Sequence, residues 1–134
     1  MDSHQGRKPA PIALIVEDDP HLRELAAALL EESNLRVLEC EDAEEAFAVL
    51  NKYGDQIALI FADVRLPGLL DGVDLARRVK VMWPQIPVIV TSGYPAEQTL
   101  PDNIVYMPKP WRALDVLVQA EHATARMQER QRAS

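Results

Sequence analysis

Four groups of polar residues stand directly after apolar runs, and their types suggest chemistry on a charged ligand. Glu17-Asp18 follows the first run, Asp63 ends a later one, Thr91-Ser92 closes the next, and Lys109 follows the last. Carboxylates bind hard cations or act as nucleophiles, whereas hydroxyl and ammonium groups stabilise anions. These groups can act together only if the fold brings them to one place.

The apolar runs predict such a fold. Five short runs alternate with helical patterns, which is typical of a parallel sheet covered by helices on both faces. The predicted strands are 12–16, 36–40, 57–62, 87–90 and 104–107. Ligands of open α/β sheets bind beyond the carboxyl ends of the strands. We therefore expect a doubly wound, flavodoxin-like α/β sheet of order 2-1-3-4-5, with all four polar groups at this edge.

Three carboxylates crowd together in this arrangement, because strands one and three are neighbours. Two like charges at ~4 Å cost on the order of 4 kcal/mol at an effective dielectric of ~20. Either Glu17, Asp18 and Asp63 share a proton or a hard cation binds them. Mg²⁺ suits such a set because it takes one or two carboxylates, several waters and a phosphate oxygen.

The predicted helices carry their own boundary signals. Asp19 suits an N-cap and Pro20 the first helical position, while Asp42 and Glu45 have the spacing of a capping box. Apolar residues at helical spacing predict the buried stripes. These stripes are Leu22, Leu25, Ala26, Leu29 and Leu30 in the first helix, and Leu114, Leu117 and Val118 in the last.

The composition indicates a single globular domain in the cytoplasm. The 134 residues are 48% hydrophobic and 26% charged, and residues 1–10 lack the apolar core of a secretory signal. We expect a disordered lead-in over 1–10, a domain over 11–125 and a polar tail over 126–134. No run is long enough to span a membrane, and a net charge of −7 disfavours nucleic acid as a partner. The single Cys40 is predicted to be buried.

Between Pro11 and Ala125 the chain resembles the receiver domain of bacterial two-component response regulators, in the stand-alone form of the CheY-like superfamily. Four motifs carry the similarity through their order and placement, although each is weak alone. They are Leu14-Ile15-Val16-Glu17-Asp18-Asp19, Asp63-Val64-Arg65-Leu66-Pro67-Gly68, Ser92-Gly93, and Tyr106 with Lys109-Pro110.

The resemblance implies a role for each residue that would meet the phosphoryl group. Asp63 would be the nucleophile that becomes an acyl phosphate. Lys109 would pair with the phosphoryl oxygens, and Ser92 would hydrogen-bond one of them. Tyr106 would be the aromatic residue that rotates inward on activation.

The resemblance also implies a Mg²⁺ site beside the nucleophile. Asp18 would ligate the ion directly, as would Asp63, and Glu17 would hold one of its waters. The backbone carbonyl of Arg65 would supply a further ligand.

The implied function is a phosphoacceptor switch that promotes only its own phosphorylation and dephosphorylation, and not a turnover enzyme. The donor would be a sensor histidine kinase or a histidine phosphotransfer protein. The signal would pass along a phosphorelay or to a downstream protein that the sequence does not identify. A monomer or a phosphorylation-linked dimer is expected.

Several alternatives stay open from the residues alone. Thr91 competes with Ser92, and Tyr106 could be an ordinary half-buried strand residue. A Mg²⁺-dependent aspartyl-phosphate phosphatase is a second function, although Arg65 stands where such enzymes commonly carry an acid/base aspartate. A phosphorylation-independent adaptor is a third. A flavodoxin-like cofactor binder is disfavoured, since Glu17-Asp18-Asp19 replaces the Gly-, Ser- and Thr-rich loop that cradles phosphate.

Two features depart from the family. The loop 67–72 is one residue longer than usual. Only thirteen residues separate Ser92 from Tyr106, and Pro95 and Pro101 are among them, so the fourth helix is predicted to be short or absent. We expect the segment 93–103 to be mobile and to become ordered on phosphorylation or partner binding.

Overall fold

The computed structural model describes residues 10–93, 100–101 and 104–133 of the chain. Its centre is a parallel five-stranded sheet in the order β2-β1-β3-β4-β5. The strands are β1 (Ile12–Val16), β2 (Arg36–Cys40), β3 (Ile57–Asp63), β4 (Val88–Ser92) and β5 (Ile104–Pro108). The predicted α/β class and strand order are confirmed.

Four α-helices lie within the described residues, and a 3₁₀-helix over Gly54–Gln56 precedes β3. Helices begin where a side chain can accept the free N–H groups of the first turn. Asp19, Asp42 and Asp71 each do so, and Asp71 also forms a reciprocal capping box with Asp74. The helices are α1 (Pro20–Glu31), α2 (Ala43–Tyr53), α3 (Gly72–Met82) and α4 (Ala113–Ala133).

The sheet is buried on both faces. Helices α2 and α3 pack on one face, and α1 and α4 pack on the other. Strands β1 and β3 are buried along their whole lengths, because their alternating side chains meet a helical layer on each side. Each large apolar side chain buried there contributes about 1.5–3 kcal/mol. The two central strands therefore hold their carboxyl ends in fixed positions.

The strand register brings these carboxyl ends to a common edge. Val16 pairs with Ala62, and Asp63 pairs with Thr91. The residues that follow β1, β3 and β4 consequently leave the sheet side by side. The expected gathering of polar groups follows directly from this register.

The predicted stripe of α1 is partly wrong. Leu25 is 50% exposed, whereas Ala26 and Leu30 are completely buried. Ala27, which the pattern omits, is also buried. A small alanine can lie against the sheet at a position that a search for large apolar residues overlooks.

The predicted stripe of α4 is wrong for the same reason. Leu114 is 70% exposed and Val118 is 38% exposed. The face that packs on α1 and β3 includes two alanines, which permit a close approach. Its buried residues are Val116, Ala120, Ala123 and Met127.

The last helix also continues through the segment that the sequence predicts as a polar tail. It ends at Ala133, and Met127 is only 3% exposed. The Arg130 Nη1 donates to the backbone oxygen of Gln85 at 3.0 Å. The segment predicted as a polar tail is thus helical to Ala133, and one buried methionine and one hydrogen bond attach it to the domain.

Two sequence predictions concern residues that lie largely outside the described part of the chain. The predicted lead-in over 1–10 lies outside the described residues except for its last position. The segment 93–103, predicted to be mobile and to contain a short fourth helix or none, lies outside them at positions 94–99 and 102–103. Within the parts of the chain that the structure does describe, no helix has both the length and the apolar character required to cross a bilayer.

Candidate functional site

Three acidic side chains meet where β1 and β3 end. One carboxylate oxygen from each of Glu17, Asp18 and Asp63 lies within 4.8 Å of the other two. Glu17 is 2% exposed and Asp63 is 7% exposed, whereas Asp18 is open to solvent. An all-oxygen donor set with one accessible member fits a hard divalent cation.

Lys109 lies between the two buried carboxylates. Its Nζ is 3.0 Å from Glu17 Oε1 and 3.0 Å from Asp63 Oδ2. The ammonium group therefore offsets part of the repulsion that the sequence predicts for this cluster. When all three carboxylates are ionised, the four side chains still carry an excess of negative charge, which favours a further cation.

Burial and hydrogen bonding shift the pKa values of Glu17 and Lys109 in opposite directions. Burial raises the pKa of Glu17, although hydrogen bonds from the backbone of Asp19 and from Lys109 oppose that rise. Burial alone would lower the pKa of Lys109, but its hydrogen bonds to Asp63 and Glu17 outweigh this effect and leave its pKa raised. Lys109 is therefore positively charged at neutral pH.

Backbone groups hold the two buried carboxylates in orientation. The N–H of Asp19 donates to Glu17 Oε2 at 3.1 Å, and the N–H of Arg65 donates to Asp63 Oδ1 at 3.3 Å. Each carboxylate thus uses one oxygen for the backbone and the other for Lys109. The predicted role of the Arg65 carbonyl in metal binding stays a prediction.

The loop after Asp63 returns close to that residue at Gly72. The Gly72 N–H donates to the Val64 carbonyl at 2.8 Å. A Cβ atom placed on Gly72 would lie 2.0 Å from the Asp63 carbonyl oxygen. Only glycine permits this approach, so the start of α3 fixes the backbone of Asp63.

The two hydroxyl residues at the end of β4 have different surroundings. Thr91 is almost completely buried, and its Oγ1 accepts a hydrogen bond from the indole N–H of Trp111. The Ser92 backbone oxygen accepts from the Lys109 N–H at 2.9 Å and from the Tyr106 hydroxyl at 3.5 Å. The Thr91 hydroxyl thus accepts the indole N–H, and the role predicted for Ser92 stays a prediction.

Sequence reasoning missed three residues that support the site. Trp111 and Gly72 contact it as described, and Arg23 donates from Nη1 to the Glu17 carbonyl at 2.9 Å. Arg23 also forms an ion pair of 3.2 Å with Glu39, which ties the ends of β1 and β2 together. Only Gly72 had a usable signal, since a glycine directly after an N-cap aspartate suggests a steric requirement.

Comparison with known proteins places these features in a family. The family profile described as response regulator receiver domain matches residues 13–110. The C4-dicarboxylate transport transcriptional regulatory protein DctD of Rhizobium meliloti is 32% identical over 116 residues, which cover 83% of this chain. The matched region is 24% of DctD, so the chain spans about a quarter of the length of that relative.

Solved structures of receiver domains have the same fold as this chain. The signal receiver domain of an HD domain-containing protein from Pseudomonas fluorescens Pf-5 has a TM-score of 0.79 at 21% identity, covering 90% of this chain and 98% of that one. The receiver domain of NtrX from Brucella abortus has a TM-score of 0.69 at 27% identity, covering 84% and 98%. The chain belongs to the response regulator receiver domain family, the signalling domain of bacterial two-component systems.

Proposed function

We propose that the chain is a phosphoacceptor switch in which Asp63 takes a phosphoryl group from a sensor histidine kinase or a histidine phosphotransfer protein. One observation carries this proposal. Asp63 ends β3, a strand that is buried along its whole length, at the carboxyl edge of the sheet, with Lys109 Nζ 3.0 Å from one oxygen and an acidic pair beside it. This grouping of a carboxylate, a cation and an all-oxygen acidic set supports the proposal.

The proposed transfer is a displacement at phosphorus. A carboxylate oxygen of Asp63 forms a bond to phosphorus while the bond from phosphorus to the donor nitrogen breaks. The electron pair of the broken bond stays on the donor imidazole, and Asp63 becomes an acyl phosphate. Such transfers depend mainly on positioning and on neutralising charge at the phosphoryl oxygens. Lys109 supplies one positive charge, and Ser92 is the proposed hydrogen-bond donor.

The donor set also supports a Mg²⁺ requirement. In this proposal Asp18, Asp63 and the Arg65 carbonyl would hold the ion, and Glu17 would hold one of its waters. Mg²⁺ would supply charge neutralisation for the incoming phosphoryl group, which the carboxylates alone would repel. The phosphorylated domain then acts through partner binding or as a step of a phosphorelay.

Phosphorylation by a small donor tests the proposal. The protein is incubated with Mg²⁺ and acetyl phosphate, and intact mass is followed with time. We expect the native chain to gain one phosphoryl group, with acetate as the leaving group. Asp63→Asn should gain none, while Asp55→Asn, at an exposed site in the 3₁₀-helix, should behave as the native chain does.

The alternatives predict different outcomes of the same experiment. Repeated turnover of phosphate esters would favour an aspartyl-phosphate phosphatase. Absence of a mass gain with acetyl phosphate and with phosphohistidine donors would overturn the proposal in favour of a phosphorylation-independent adaptor. A gain that persists in the presence of EDTA would overturn the Mg²⁺ requirement alone.

A further inference from the structure

Trp111 contacts residues of β3 and β4 and also lies close to Lys109. The residue lies two positions after Lys109, in the connection between β5 and α4. Its ring packs edge-on against Phe61, with 5.0 Å between centroids and 77° between planes. Lys109 Nζ lies 5.9 Å from the centroid of the same ring, within the range of a weak cation–π contact.

The indole N–H of Trp111 makes the most specific of these contacts, to the hydroxyl of Thr91. Thr91 is 1% exposed, so water cannot readily replace the indole as the partner of its hydroxyl. Thr91 is also the register partner of Asp63 on β3 and the immediate neighbour of Ser92. The hydrogen bond therefore attaches the connection after Lys109 to the rung of the sheet that carries the nucleophile.

This attachment bears on Lys109 because its ammonium must reach two carboxylates at once. Two described hydrogen bonds restrain the backbone around Lys109. The Lys109 N–H donates to the Ser92 carbonyl, and two residues later the Trp111 indole N–H donates to the Thr91 hydroxyl. Without the second contact, only the packing of the Trp111 ring against Phe61 restrains the connection on that side. A displacement of about 1 Å at a reacting group is enough to slow a positioned reaction substantially.

We infer that the Thr91–Trp111 hydrogen bond positions Lys109 for phosphoryl acceptance, with Trp111 and Thr91 as positioning residues that do not touch the phosphoryl group. The inference rests on the proposed function. It gives Trp111 a role that the sequence motifs do not assign, and it gives Thr91 a role other than the one for which it competes with Ser92. It explains why a polar threonine is buried one residue before Ser92.

The test measures the initial rate of phosphorylation by acetyl phosphate in matched variants. Trp111→Phe keeps an aromatic ring against Phe61 but removes the N–H, and Thr91→Val keeps the branched shape but removes the hydroxyl. We expect each to slow phosphorylation roughly 3- to 10-fold, the effect of one lost buried hydrogen bond. Thr91→Ser retains the hydroxyl and should restore most of the native rate.

A double-mutant cycle separates positioning from general loss of packing. If the two residues act through one bond, the double variant should be no slower than the slower single variant. Multiplying effects would overturn the inference. So would a Thr91→Ser variant as slow as Thr91→Val, because the methyl group and not the hydroxyl would then matter.

A measurement that does not depend on phosphorylation tests the bond itself. The sequence has two tryptophans, so the indole N–H signal of Trp111 can be followed by ¹⁵N NMR with Trp83 as the internal reference. In Thr91→Val the Trp111 N–H should exchange faster with solvent while that of Trp83 is unchanged. Equal exchange in both proteins would overturn the inference.

The two proposals fail in different ways. If the native chain gains no phosphoryl group, the proposed function fails and this inference with it. If the native chain is phosphorylated, and both single variants are phosphorylated at the native rate, only the positioning role of Trp111 and Thr91 is overturned.

Discussion

Lys109 is the residue on which the electrostatics of the site depend. Its ammonium compensates two carboxylates that are nearly closed to solvent, and an uncompensated buried carboxylate is costly. Because the pKa of Lys109 is raised, its stabilising charge persists at all pH values below its ordinary pKa of 10.5. This contribution is lost only as the pH rises through the still higher pKa of the folded state.

Lys109→Gln is expected to lower the free energy of unfolding by about 1–3 kcal/mol at pH 8 without divalent cations. The loss should be smaller at pH 5. Burial raises the pKa of Glu17, so the penalty for its ionisation is present above that pKa and is relieved as the pH falls towards 4.5. Urea unfolding at both pH values measures the difference.

The control for this prediction is Lys52→Gln, because Lys52 is exposed in the last turn of α2. It should change the free energy of unfolding little at either pH. An equal loss for Lys109→Gln at pH 5 and pH 8 would contradict the assigned role of Glu17.

Cys40 gives a second prediction at the scale of one residue. The thiol is 2% exposed, and burial raises its pKa to about 12. Only the thiolate reacts with alkylating reagents, and at pH 8 about one thiol in ten thousand would be ionised. Native protein should therefore be alkylated by iodoacetamide far more slowly than protein in urea. Comparable rates in the two states would show that Cys40 is accessible.

The sequence predicts the acidic residues of the site better than their contacts. Glu17, Asp18 and Asp63 could be grouped because each follows an apolar strand at a known edge of a parallel sheet. The contact of Lys109 with Glu17, 92 positions away, could not. Strand order places the end of β5 two strands from β3, and only the conformation of a long lysine side chain decides which carboxylates it reaches.

At the scale of secondary-structure elements, the start of α3 controls the position of the nucleophile. Gly72 is the first residue of the helix, and its Cα lies against the backbone of Asp63 and Val64. The capping box formed by Asp71 and Asp74 fixes the direction in which the helix leaves the loop. The nucleophile is thus held by the sheet on one side and by a helix terminus on the other.

Gly72→Ala is expected to lower the free energy of unfolding by about 1–3 kcal/mol and to slow phosphorylation of Asp63. The added Cβ would lie 2.7 Å from the Asp63 carbonyl carbon and 3.0 Å from Val64 Cα, so the backbone must move. Thermal unfolding and the initial rate with acetyl phosphate measure the two effects.

Gly93→Ala provides the matched control. A Cβ placed on Gly93 meets no atom within 4 Å among the described residues. This variant should keep the native stability to within about 0.5 kcal/mol, as is usual for surface substitutions. Equal effects of the two substitutions would mean that the loss of glycine flexibility, and not the close approach to Asp63, is responsible.

The helices also show where pattern reading succeeds and where it fails. Asp19 and Asp42 could be predicted as caps because a short acidic side chain before a helical pattern has a local function. The buried face of α4 could not be predicted in the same way. Its small residues Ala120 and Ala123 lie inside because α1 and β3 are close, which is a property of the packed layers and not of the helix alone.

At the scale of the whole molecule, the last turns of α4 extend the domain past the boundary at Ala125 that the sequence predicts. Met127 adds to the apolar layer between α1, α4 and the sheet. Arg130 connects the same turns to the segment before β4. These contacts lie past the buried middle of α4, far along the chain from the connection that carries Lys109.

Removal of residues 126–134 therefore tests whether stability and chemistry are separable in this fold. Losing the buried side chain of Met127 and the Arg130–Gln85 hydrogen bond should lower the free energy of unfolding by about 2–5 kcal/mol. Removal of residues 131–134 alone keeps both contacts and should cost much less. Urea unfolding of the two truncated chains and of the full chain gives the comparison.

The rate of phosphorylation should respond differently from stability. Asp63, Lys109 and the acidic pair are held by the ends of β1, β3 and β5, which the truncation leaves intact. At a temperature where the shortened chain is still folded, its rate with acetyl phosphate should lie within about twofold of the native rate, because no contact to a reacting group is lost. A large fall in rate would instead show that the far end of α4 is coupled to the site through the helix that begins just after Trp111.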